Sequence, residues 1–205
     1  MRIGYTPYSL KLDHPADNRR FVFYAKERNL HFEIADPNQD YDVVIVTEAA
    51  DLSVWSEYKK GRVIFDLIDP YLSEQNSMKL FLRGVFKYLV GSHAHLKFNY
   101  KNLVKNMCIN SFAVVCTTFE QKIKIQKYCK NVHLILDNHT DIVNCKKKSY
   151  ECSDTFNLVW EGQPGGVDNL IKLKNIILNI SKSTPITLNI ITDPVMPKYF
   201  EKIGK

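Results

Sequence analysis

Apolar positions in this chain follow two alternating spacings. Short runs rich in β-branched and aromatic residues predict strands at Arg2–Thr6, His31–Ala35, Asp42–Thr47, Arg62–Leu67, Ser111–Thr117 and Val132–Leu136. Asp42–Thr47 (DVVIVT) is apolar without a break, the pattern of a strand buried on both faces of a parallel sheet. Between these runs the spacing changes to that of helices. Asp17–Asn29 predicts a helix capped by Asp17, with Phe21, Tyr24, Ala25 and Arg28 near one face. Ser73–Val90 and Leu96–Met107 predict two more. Thr118 opens another that runs to about Cys129, with Gln121 placed as in a capping box. Strands separated by helices predict βαβ units and a doubly wound α/β sheet.

Periodicity lapses over Asp137–Asp154, a polar stretch with three consecutive lysines at 146–148. It then restarts with a strand at Phe156–Trp160, a Gly-rich turn at Glu161–Gly166, a helix at Val167–Ser181 and a strand at Ile186–Ile191. Pro197–Ile203 predicts the start of a short helix. The expected organisation is one α/β domain over 1–137, a linker over 138–155 and the start of a second domain over 156–205. About 50 residues cannot enclose a second core of this type. The expectation is therefore a fragment of a longer protein, or strands that join the first sheet or a partner.

Composition narrows the class. With 45% hydrophobic residues in 205, the chain can bury a sizeable core and is neither disordered nor a small disulfide scaffold. No run is long enough to span a bilayer, and the N-terminal MRIGYTPYSLKLDHP has no secretory apolar core. Five cysteines with no CxxC predict reduced thiols and a cytoplasmic setting. The six histidines show no zinc spacing with them, so no metal site is expected. There is no GxSxG, and no Cys/His pair suggests a nucleophile.

The net charge of +6 is unevenly spread. Residues 1–74 carry 13 acidic and 9 basic groups, whereas residues 75–119 carry 6 basic and no acidic ones. Those six are Lys79, Arg83 and Lys87, then Lys97, Lys101 and Lys105, each set at four-residue spacing. The first set is interleaved with Leu80, Phe81, Leu82, Val85, Phe86 and Leu89. Both sets read as basic amphipathic helices. One reading is a solvated face over an ordinary core. Another is contact with an anionic membrane surface or anionic acceptor. Nucleic acid is not expected, because no nucleic-acid motif accompanies the charge.

Ligands of open α/β sheets bind beyond the carboxyl ends of the strands. Those ends bring Thr6, Tyr8, Glu48, Asp66, Asp69, Tyr71, Thr117, Thr118 and Asp137–His139 toward one rim. Thr118 reads as a helix cap or as an acceptor contact. Asp66 faces solvent or a capping partner. Asp69, before Pro70, is a turn former or a carboxylate placed to take a substrate hydroxyl, and Glu48 divides the same way. In the turn Gly162–Gly166, backbone amides and the following helix can cradle a diphosphate. The turn lacks the GK[ST] of a Walker A.

Leu136–Asp141 (LDNHTD), Phe156–Leu170 (FNLVWEGQPGGVDNL) and Asp42–Tyr71 (DVVIVTEAADLSVWSEYKKGRVIFDLIDPY) together resemble GT-B glycosyltransferases of the family 4 type. These match the hinge, the opening of the donor domain and the middle strands of the acceptor domain. The resemblance implies a Rossmann-like acceptor domain followed by the first part of a nucleotide-sugar donor domain. It implies sugar transfer to a glycan or lipid-linked acceptor, with retention and without a metal or other cofactor beyond the nucleotide-sugar donor. Asp69 and Glu48 would carry the chemistry on the acceptor side, with Thr6, Tyr8, Tyr71 and Thr118 binding the acceptor. Asn138, His139, Gly162, Gly165 and Gly166 would meet the nucleotide. The sequence departs from the family where Thr6–Pro7–Tyr8 replaces a Gly-Gly turn and where Gln163–Gly165 replaces diphosphate-binding Arg and Lys. The family's acceptor-domain histidine after the fourth strand is absent, and its acidic donor motif would lie beyond Lys205. The 205-residue chain alone is therefore expected to be inactive, and the complete enzyme to be cytoplasmic or peripheral to the inner face of the membrane. The alternatives are a non-catalytic α/β module that binds a glycan or nucleotide, and a basic membrane-binding domain.

Overall fold

The computed structural model describes residues 1–73, 78–139, 148–149, 151, 154–162 and 166–192. The chain divides into two compact units, Met1–Asn144 and Cys145–Lys205, so the division falls inside the predicted linker.

The first unit is built on β1 (Ile3–Thr6), β2 (Glu33–Ile34), β3 (Val43–Thr47), β4 (Arg62–Asp66), β5 (Ala113–Cys116) and β6 (Val132–Leu134). They form one six-stranded sheet in the order β2-β1-β3-β4-β5-β6, and every pairing is parallel. The helices lie between strands: α1 (Pro15–Arg19), α2 (Phe21–Glu27), α3 (Leu52–Trp55), α4 (Met78–Leu89), α5 (Tyr100–Asn110) and α6 (Phe119–Ile125). This is the Rossmann-like α/β architecture that the alternating spacing predicts.

The continuous apolar runs have the expected consequence. Side chains alternate across a strand, so Val44, Val46, Val63 and Phe65 join one core with Trp55, Leu103, Met107 and Ile125. Their neighbours Val43, Ile45 and Ile64 pack on the other face with Ile3, Tyr5, Phe21 and Phe32. The thiols of Cys108, Cys116 and Cys129 are free and buried, and burial first of all pushes Cys108 up to about 12. Cys145 and Cys152 lie outside the described residues.

Three predictions need correction. The single helix over Asp17–Asn29 is two helices, broken at Arg20, whose backbone leaves the helical region (φ −126°, ψ −109°). The cap of α1 is His14, which accepts from Ala16 N–H at 3.1 Å, while Asp17 is fully buried. Tyr24 and Arg28 are exposed rather than part of the core face. The short α3, capped by Asp51, was not predicted; it has only four residues and no readable period.

The second unit pairs β7 (Phe156–Glu161) with β8 (Ile186–Ile191) in parallel, joined by α7 (Val167–Ile180). Val167 and Leu170 are buried, whereas Val159, Leu173, Ile176, Ile180 and Ile191 stay exposed. The predicted helix at Pro197–Ile203 lies outside the described residues. Among the described residues no helix is long and apolar enough to cross a membrane.

Candidate functional site

The strand order reverses at β1, which has β2 on one side and β3 on the other. Such a switch point leaves a crevice beyond the carboxyl ends of the two central strands. Here those ends are Thr6–Tyr8 and Thr47–Glu48. The two threonines lock them together. Thr47 N–H donates to Thr6 Oγ1 at 2.9 Å, and the Thr47 hydroxyl donates to Thr6 O at 2.7 Å. Thr6, predicted to bind an acceptor, thus has its hydroxyl engaged between strands and is buried.

The loop after β1 is shaped by Asp17. Its carboxylate accepts from the Tyr5 hydroxyl at 2.5 Å, from Tyr8 N–H at 2.9 Å and from Ser9 N–H at 3.1 Å. Tyr8 is thereby held at the rim, its ring stacked on His14 at 5.0 Å between centroids. Its buried hydroxyl lies beside Glu48, with no hydrogen bond of ordinary geometry among the described residues. Burial, and then the nearby charge of Glu48, keeps that hydroxyl protonated.

Glu48 is the central group. It is 7% exposed, and its Oε2 accepts from the backbone N–H of Asp69 at 2.9 Å. Burial, reinforced by the Asp69 charge, raises its carboxyl to about 7. Asp69 follows β4, as predicted, and its carboxylate accepts from the Tyr71 hydroxyl at 2.9 Å. The two carboxylates and two tyrosines proposed from the sequence therefore do converge.

Further groups join them. Arg83 Nη2 donates to the Tyr71 hydroxyl at 2.6 Å, and its guanidinium lies over the rings of Tyr71 (4.7 Å) and Tyr100 (5.2 Å). Lys87 Nζ donates to the Tyr100 hydroxyl at 3.1 Å and lies 4.6 Å from that ring's centroid. The Tyr100 hydroxyl in turn donates to Glu48 O at 3.4 Å. Burial, with Arg83 adding repulsion, lowers Lys87 to about 8. His93 completes the cluster, its ring stacked on Tyr100 at 6.0 Å. It gets there because α4 ends in a turn at Gly91 (φ +72°), after which Ser92 and His93 N–H both return to Lys87 O.

Behind the rim lies a buried ion-pair network. Arg20 Nε donates to both Asp66 oxygens at 3.0 and 2.8 Å, and Nη2 adds a bond of 2.5 Å. Its Nη1 donates to Ile135 O at 3.1 Å and to Asp137 at 2.9 Å. Burial works against the Arg20 charge, but the two carboxylates outweigh it and hold the guanidinium ionised. Burial pushes the Asp66 carboxyl upward against the pull of Arg20. The reading of Asp66 as solvent-facing is therefore corrected: its partner is the arginine that breaks the α1–α2 run.

Thr118 caps α6, its hydroxyl accepting from Gln121 N–H at 3.1 Å. Gln121 pins the segment after β4: its side-chain amide donates to Leu67 O (3.1 Å), Ile68 O (3.3 Å) and Asp69 O (3.1 Å). Its oxygen accepts from Thr117 N–H at 3.2 Å. Replacing Thr118 by Ala is expected to cost about 1 kcal/mol, and replacing it by Ser almost nothing, both read from urea denaturation. Equal loss in the two variants would mean that the methyl group, not the cap, matters.

Among the described side chains, the basic residues of the two sets have different settings. Lys87 is half-buried over Tyr100, and the exposed Arg83 lies over Tyr71 and Tyr100; Leu82, Phe86 and Leu89 of the same helix are also exposed. Lys97 pairs with Glu57 at 3.4 Å, and Lys105 lies 5.7 Å from the Tyr128 ring centroid. Lys101 lies in the first turn of α5. The side chain of Lys79 is outside the described atoms. Asn138 N–H donates to Arg19 O at 2.8 Å, and His139 follows it. Gly162 extends β7 by donating to Ile191 O at 3.1 Å, and Gly166 is the N-cap of α7. Gly165 lies outside the described residues. Among the described residues no three or more His, Cys, Asp or Glu are grouped to hold a metal ion. No protein-family model and no curated protein sequence matches this chain.

Proposed function

We propose that this chain is the acceptor-side domain and the opening of the donor domain of a GT-B glycosyltransferase of the family 4 type. The observation that carries the reading is Glu48. A buried carboxyl raised to about 7, next to Asp69 at the switch point of a parallel sheet, is matched to taking a proton from an acceptor hydroxyl near neutral pH. Asp69, aligned by the Tyr71 hydroxyl, would orient that hydroxyl. Tyr8, whose hydroxyl lies beside Glu48, would bind the same acceptor. The sugar would come from a nucleotide-sugar bound by the donor domain, with retained configuration and no metal requirement. Catalysis on this side is mainly positioning and proton removal. The motifs at 136–141 and 156–170 support the assignment of the second unit as the start of that domain.

The test uses the longest reading frame that contains this chain. Nucleotide-sugars are screened against glycan and lipid-linked acceptors, and product is read by mass spectrometry. Asp69→Asn is expected to lower kcat/KM about tenfold or more, which corresponds to about 1.4 kcal/mol of transition-state binding, with an unchanged Tm. The 205-residue chain alone is expected to show no turnover. Transfer that is indifferent to Asp69, or turnover by residues 1–205, would overturn the assignment.

A further inference from the structure

We infer that Arg83 and Lys87, laid over Tyr71 and Tyr100 beside His93, form a seat for a phosphate monoester carried by the acceptor. The inference rests on the acceptor-site reading above and gives that site its substrate class.

Four observations carry it. First, the two cations are side by side on successive turns of α4, and their sequence neighbours supply no acid: residues 75–119 contain none. Second, among the described residues neither has a carboxylate within salt-bridge distance; each donates instead to a tyrosine hydroxyl. A guanidinium and an ammonium that spend one donor each on a phenol keep their remaining donors for something else. Third, Lys87 is half-buried over the Tyr100 ring, and the more exposed Arg83 reaches across both the Tyr71 and Tyr100 rings, so the two cations are gathered on one aromatic platform. Fourth, His93 is 2% exposed, yet neither ring nitrogen has a hydrogen-bond partner. Buried polar atoms without protein partners are rare, and a place where a polar ligand binds accounts for one.

The charge pattern fits a monoester better than a neutral sugar. Burial and the neighbouring Arg83 both act against the Lys87 charge, and the carboxylates of Glu48 and Asp51 offset this only in part. A doubly charged phosphate relieves the repulsion between the two cations and accepts from both in charge-assisted hydrogen bonds. The rigid aromatic platform holds the two cations in place before binding, which lowers the ordering cost. The Tyr100 hydroxyl joins this seat to Glu48, because it accepts from Lys87 and donates to Glu48 O. One acceptor molecule then spans both ends. Its phosphate rests on Arg83 and Lys87, and its hydroxyl lies toward Glu48 and Asp69.

The same chemistry belongs to a soluble sugar phosphate and to a lipid headgroup, so the experiment has two arms. In the first, methyl phosphate is titrated into the 205-residue chain and followed by NMR at Arg83, Lys87 and His93. In the second, the chain is sedimented with phosphatidylcholine vesicles with and without phosphatidic acid. Methyl phosphate is expected to shift those resonances, and Arg83→Gln, an exposed side chain, is expected to weaken binding about tenfold. Lys87→Gln should do the same, and Tm should stay near the parent value for Arg83→Gln. Arg83-dependent retention on phosphatidic acid vesicles assigns the monoester to a lipid. Methyl phosphate binding without such retention assigns it to a soluble acceptor. Absent shifts, or binding that Arg83→Gln leaves unchanged, overturns the inference. If transfer to a neutral acceptor still depends on Asp69, the glycosyltransferase reading survives that failure. Arg83-dependent phosphate binding with no transfer to any acceptor leaves the seat standing and removes the transferase.

Discussion

Replacing Arg20 by Ala is expected to destabilise the first unit by about 3–5 kcal/mol, the range for removing one partner of a buried ion pair. Asp66 would be left 5% exposed and charged, without the three bonds Arg20 supplies. Asp137 suffers less, because a quarter of its side chain already reaches solvent. Urea denaturation followed by Trp55 fluorescence in a Trp160→Phe background reports this unit alone. The paired change Arg20→Met with Asp66→Leu should recover much of the loss, since an apolar pair of similar size carries no desolvation penalty. A loss below about 1 kcal/mol for Arg20→Ala would match an exposed pair and would mean that water solvates Asp66.

Glu48→Gln is expected to stabilise the protein at pH 8 by on the order of 2–3 kcal/mol and to leave it unchanged near pH 4.5. The folded-state carboxyl is raised to about 7 from an ordinary value of 4.5. Between those two values the folded state holds a proton that the unfolded chain has lost. Stability from this group is therefore complete below about 4.5 and falls as pH rises to about 7. Above that it is flat, with a charge held in a desolvated place. Glutamine keeps the carbonyl that accepts from Asp69 N–H and carries no charge. The difference between parent and variant cancels other titrating groups. A parallel pair of stability curves from pH 4 to 8 would show that Glu48 is solvated and would remove its claim to act as a base near neutrality. A variant that is more stable and less active would place the energetic strain at the site itself.

The central strands were legible because short β-branched runs such as Val43–Val46 are too brief for a helix and fit a strand buried on two faces. The rim residues Tyr8, Glu48, Asp69 and Tyr71 followed from topology, since a parallel sheet brings the ends of its strands to one side. Arg20 was not legible. Its partners are 46 and 117 residues away, and nothing local distinguishes it from a helical arginine. The same is true of Gln121, whose contacts lie 52 to 54 residues back. For α4 the four-residue spacing correctly put Arg83 and Lys87 on one face. Spacing does not say what such a face lies against, and here Arg83 and Lys87 lie over Tyr71 and Tyr100. His93 carried no signal at all, because its place depends on the turn at Gly91.

The order of the strands also bears on how the sheet is assembled and guarded. From β3 onward each new strand is laid on the same growing edge, so spatial order repeats the order of synthesis. The finished sheet ends in strands of two residues at β2 and three at β6. Such short margins offer few unpaired amides to a neighbouring molecule, a common defence against edge-to-edge association. Before β6 arrives, the open margin is β5, with the apolar Val114 and Val115. The hazard therefore belongs to the nascent chain rather than to the mature domain. Residues 132–134, though they bury only Val132 in the core, close that margin.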